Sequence, residues 1–90
     1  MKAVHAVVRG RVQGVGFRQG VKIAARHLRL TGWVRNTREG TVEVFAQGED
    51  EAVERLVAWL WLGPAGSGVV GVESETVPVD RIVQDFLIRQ

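Results

Sequence analysis

A chain of 90 residues without cysteine holds material for one modest core, and it excludes disulfides, a cysteine nucleophile and a thiolate metal cluster. The net charge of +2 hides a division: residues 1–38 carry every cation but three and no carboxylate, and the acids begin at Glu39, which points to an anion-binding surface built by the first part unless folding intermingles the signs. The longest apolar run, Leu56 to Leu62, is too short to cross a bilayer, the first residues do not read as a signal segment, and the expectation is a soluble, cytoplasmic protein with no membrane partner.

Lys2 to Arg9 alternates, with Val4, Ala6 and Val8 on one side and His5, Val7 and Arg9 on the other, the period of a half-buried strand. His5 is then a residue of the open sheet face. With only His27 for company, it gives no reason to expect a metal centre. Next comes Arg9-Gly10-Arg11-Val12-Gln13-Gly14-Val15-Gly16-Phe17-Arg18. Gly14 and Gly16 let the backbone turn successive N–H groups inward just ahead of a helix N-terminus, an arrangement suited to an anion.

Val21, Ala24, Ala25 and Leu28 recur at helical spacing and predict an amphipathic helix from about Phe17 to Arg29. Arg18 falls in its first turn, where the dipole disfavours a cation by ~0.3–1 kcal/mol. A bound anion would remove that conflict; an arginine solvated away from the axis is the alternative. Thr31 to Thr37 reads as a second strand, Thr37-Arg38-Glu39-Gly40 as a turn and Gly40 to Gln47 as a third strand. A second helix runs from about Glu49 to Leu62 on a stripe of Val53, Leu56, Val57 and Leu60, and Gly63-Pro64 stops it. Trp61 projects away from that stripe, so a monomer is expected with either a weak dimer contact at Trp61 or packing of Trp61 under the next loop. Val69 to Val77 forms a fourth strand ended by Pro78, and about Ile82 to Arg89 a short fifth, with Phe86 and Ile88 on one face.

The order βαββαβ plus a terminal strand predicts an α+β fold with two helices on one face of an antiparallel sheet. In such a sheet strands one and two run parallel on either side of strand three, about 10 Å apart. The glycine loop and Asn36 then emerge at the same edge, together with Arg9, Arg11, Arg35 and Arg38. Asn36, the only asparagine, can reach toward an anion in the loop; a strand-end residue bonding the turn backbone is the plainer alternative.

The stretch Gly10 to Arg18, followed by Gly32-Trp33-Val34-Arg35-Asn36 and Gly40-Thr41-Val42-Glu43, closely resembles the acylphosphatases. The likeness continues more weakly through Gly63-Pro64 and covers essentially residues 1–90 as a single acylphosphatase-like domain. It implies a ferredoxin-like sandwich and hydrolysis of acyl phosphates to a carboxylate and inorganic phosphate; independence of metal and cofactor is a separate expectation, from the lack of any carboxylate within residues 1–38 to hold magnesium near the loop. It also implies that Arg18 and the backbone amides of Gln13, Gly14, Val15, Gly16, Phe17 and Arg18 hold the phosphate, and that Asn36 orients the attacking water. Departures from the family pattern are Gln19 with Gly20, Arg38 with Glu39, and Trp61; the first two bear on how the acyl part is received.

The residues agree with that chemistry. A carboxylate leaving group needs no general acid near neutral pH, and positioning plus preorganised positive potential can supply catalysis. No thiol, no carboxylate within residues 1–38 and no histidine in the motif is present to form a phosphoenzyme, so direct attack by water remains. A nucleic-acid module of the same element order would stack bases on aromatics of strands one and three. Here strand one has none and strand three has only Phe45, so no nucleic-acid partner is expected. A non-catalytic domain that passes carbamoyl phosphate onward is the third reading.

Overall fold

The computed structural model describes residues 1–90 and places β1 (Lys2–Arg11), α1 (Phe17–His27), β2 (Thr31–Asn36), β3 (Val42–Gly48), α2 (Asp50–Leu62), β4 (Gly68–Val77) and β5 (Phe86–Ile88) in that order. The strands form one sheet, β4-β1-β3-β2-β5, with the element order and layering of a ferredoxin-like α+β sandwich. Pairing is antiparallel among the first four strands, whereas β5 lies parallel to β2.

The alternation in β1 and β3 decides which face is dry. Val4, Ala6 and Val8 stand beside Ala46, Val44 and Val42, and all six are buried against the helices. Val21 and Ala25 of α1 and Val53, Leu56 and Leu60 of α2 close the core over them. Ala24, Leu28 and Val57 flank it, partly buried. Helix α1 stops earlier than its apolar spacing suggests, because Arg29 turns into the left-handed region at φ 59°. The Leu30 N–H then bonds back to the Ala25 carbonyl at 2.9 Å, closing the last turn.

The terminal strand is shorter than the Ile82-to-Arg89 expectation, and the reason is a long-range contact. β4 and β5 occupy opposite edges of the sheet, so the residues between them cross its end. Buried Gln47 holds that crossing: its Nε2 donates to the Asp80 carbonyl at 2.6 Å and its Oε1 accepts from the Asp80 N–H at 2.8 Å. Ile82 is left 88% exposed on the crossing. Entering from that end, β5 has to run in the direction of β2, which gives the parallel pair.

On the sheet face away from the helices, Arg9 pairs with Glu73, and Arg35 and His5 both bond Glu43. Two of the cations expected near the glycine loop are thus matched with acids from the later part of the chain, on the opposite face. Trp33 stacks on Phe45, with ring centroids 6.2 Å apart, and the Arg89 guanidinium lies 4.9 Å over the Trp33 ring. Trp61 is 53% exposed and Leu62 77%, so Trp61 is not tucked under the following loop. No helix is long and apolar enough to cross a membrane.

Burial pushes the Glu43 carboxyl up, but the hydrogen bonds and positive charges of His5 and Arg35 outweigh it and leave the group below its ordinary 4.5. A carboxyl depressed in the folded state stabilises the fold above its unfolded pKa and loses that contribution as pH falls through the lower folded value. Glu43→Gln is therefore expected to be less stable than the parent at neutral pH, and the gap should narrow as the pH drops below 4.5. Urea midpoints across that range measure it, and a gap independent of pH would contradict the assignment.

Candidate active site

The loop between β1 and α1 is fixed at both ends by apolar anchors, Val12 and Phe17, each 1% exposed. Between them Gly14 and Gly16 both sit at φ 75°, and a side chain at either would meet nothing within 4 Å. Glycine is required there by conformation, not by space. Gly16 is the N-cap of α1 and brings no side-chain hydrogen bond, and the first turn contains no acid. The first amides of α1 are thereby left for a ligand.

The Gln13 side chain is committed elsewhere. Its Nε2 donates to the carbonyls of Thr37 and Thr41, both at 2.9 Å, while the two threonine hydroxyls bond each other at 2.6 Å. This ties the loop to the β2–β3 turn and sets its distance from the end of β2. Asn36 is that end. Val42 of β3 is the register partner of both Asn36 and Val8, which puts the asparagine in the helix-facing row of the sheet, with only β3 between it and the end of β1. Its Oδ1 is buried and has no hydrogen-bond partner. The turn-bonding work that an asparagine could have done here falls to Gln13, Thr37 and Thr41 instead.

A cleft of ≈ 220 Å³ opens between these elements. Gly14, Gly16, Phe17, Arg18 and Asn36 of the expected residues line it together. The side chains of Gln13 and Val15 lie outside it, the first bonded to the turn and the second packed against the core; what was expected of these two residues concerns their backbone amides alone. No acid, histidine or cysteine lines the cleft, and Arg18 takes part in none of the protein's ion pairs. Arg18 is the one cation of the cleft, beside the glycine loop and the first turn of α1, and the arrangement can hold a small tetrahedral anion.

Two further lining residues are Gln19 and Ile88. Gln19 stood out in the sequence as a departure from the motif, and it reaches the cleft rim; Gly20 beside it does not, since a Cβ there would lie 3.0 Å from the Trp59 ring. Ile88 was legible as sharing one face of the last strand with Phe86, but nothing local placed that strand next to Asn36.

A model of the family described as acylphosphatase matches residues 4–88. A protein of Pseudomonas paraeruginosa named acylphosphatase is 49% identical over 97% of this chain and 94% of its own. Among solved structures, an acylphosphatase from Coxiella burnetii superposes with a TM-score of 0.94 at 42% identity, covering 98% of this chain and 92% of that one. The acylphosphatase from Bacillus subtilis gives 0.96 at 33% identity with both chains fully covered.

Proposed function

The chain belongs to the acylphosphatase family of hydrolases, and from that premise we propose that it hydrolyses small-molecule acyl phosphates by direct, metal-independent attack of water on phosphorus. The loop amides and Arg18 bind the phosphoryl oxygens and stabilise the charge they carry in the transition state. The Asn36 carbonyl accepts one O–H of a water, leaving an oxygen lone pair for phosphorus. As the new P–O bond forms, the anhydride P–O bond breaks and its electron pair leaves with the carboxylate, which needs no proton at neutral pH. The water's proton passes to a phosphoryl oxygen.

The observation that carries this reading is the unpartnered, buried Oδ1 of Asn36 in the same cleft as Arg18 and the two glycines. A buried acceptor left unsatisfied costs about 1–3 kcal/mol, and binding a water removes the cost at the place where a nucleophile is needed. The side chains around the cleft offer no carboxylate, imidazole or thiolate, only the neutral amides of Gln19 and Asn36, a weak donor set for a catalytic cation.

Two measurements test it on an aryl acyl phosphate such as benzoyl phosphate. The rate is expected to be unchanged by a chelator, and in water enriched in heavy oxygen the label should enter inorganic phosphate and not the carboxylate. Activity that vanished with the chelator and returned with magnesium, or label in the carboxylate, would refute the mechanism.

A further inference from the structure

We propose that Ile88 is a positioning residue of this site: its aliphatic side chain walls the Asn36 carboxamide from bulk solvent and so confines the attacking water. The proposal rests on reading Asn36 as the group that orients the water.

β5 is only three residues long, yet it is held at both ends. The Gly32 N–H donates to the Asp85 carbonyl and the Arg89 N–H to the Val34 carbonyl, each at 2.8 Å. Beyond the strand the Arg89 guanidinium rests on Trp33, on the face away from the helices. Alternation then decides where the strand's own side chains go. Phe86 is fully buried, Leu87 is 52% exposed, and Ile88 turns inward again and packs at the border of the core. Ile88 is the register partner of Val34, two residues before Asn36 on the same strand face. Side chains on one face at that diagonal stand about 7–8 Å apart at most and meet when they are large.

An isoleucine adds nothing to the binding of a phosphate, so its place among amides, a guanidinium and a carboxamide calls for another role. A water bound to one carbonyl is an effective nucleophile only while other waters cannot compete for the carbonyl or solvate the attacking oxygen. An apolar wall excludes them and keeps the local dielectric low, which strengthens each remaining polar contact. Phosphate would be held by the loop amides and Arg18, polar donors to which Ile88 adds none although it lines the same cleft, so the wall is expected to act on the water and to leave phosphate affinity unchanged.

Valine and threonine at position 88 test this, because they share a shape and differ in polarity. Benzoyl phosphate turnover and inhibition by inorganic phosphate are measured for Ile88→Val and Ile88→Thr. Ile88→Val is expected to keep kcat within about twofold of the parent, and Ile88→Thr to lose roughly tenfold in kcat with its phosphate inhibition constant unchanged. Leu87→Ala, on the outward side of the same strand, controls for loosening of β5 and should leave kcat as it was. In an Asn36→Ala background the difference between valine and threonine should disappear, since there is no held water left to protect. Equal kcat for the valine and threonine variants, or a difference that persists without Asn36, overturns the proposal. Parent-like kcat in Asn36→Ala alone would instead sink the reading beneath it.

Discussion

Arg18→Ala is expected to remove turnover, lowering kcat/KM by roughly 10³-fold or more, and to remove inhibition by inorganic phosphate at the same time. The guanidinium is the one cationic side chain lining the cleft, and no acid of the protein competes for it. Ground state and transition state both carry their charge on the phosphoryl oxygens, so binding and rate fall together. Lysine restores little, because a point charge replaces a planar fork that can engage two oxygens. Folding gives an independent readout. Arg18 lies in the first turn of α1, which has no acid to offset it, and its removal relieves about 0.3–1 kcal/mol of unfavourable dipole interaction. The variant should unfold at the same or a slightly higher temperature than the free parent. Inorganic phosphate should raise the melting temperature of the parent and not of the variant. A variant that melted well below the parent would mean that Arg18 is structural.

Asn36→Ala should separate what Arg18→Ala leaves joined. With the cradle intact, the inhibition constant for inorganic phosphate is expected to stay within about twofold, while kcat falls roughly 10²-fold as the water loses its fixed position. Stability again distinguishes the alternatives. If the side chain served the β2–β3 turn, its truncation would cost stability; since its Oδ1 has no partner, truncation also removes an unsatisfied acceptor, and little loss is expected. Loss of phosphate affinity equal to that of Arg18→Ala would end the division of labour between the two residues.

Much of this site was legible because its determinants are local. Val4, Ala6 and Val8 set the strand, Gly14 and Gly16 set the loop, and the order of elements is enough to bring Asn36 to the edge where the loop emerges. The distribution of charge was harder to read. Arg9 and Arg35 precede the site in sequence, but strand alternation turns both to the far face, where Glu73 and Glu43 meet them. The sequence reading used only the backbone amide of Gln13; its side chain, to which no role was given, is a strut between that loop and the turn. Ile88 was beyond reach for a different reason. The apolar pattern extends the last strand back to Ile82, whereas its start is dictated by Gln47 holding Asp80 from across the sheet, a contact no window of sequence contains.

The short β5 also has a bearing on how copies of the chain treat one another. It covers the outer edge of β2, which would otherwise present an open row of backbone donors and acceptors, the template on which a neighbouring chain adds a strand. Three paired residues are the whole of that cover. The opposite edge, β4, is longer but carries Glu73 and Glu75, charges that discourage strand addition. Release of β5 would therefore expose an edge that carries no acid, beside the candidate site, so the same few hydrogen bonds that bring Ile88 to the cleft keep the sheet from growing.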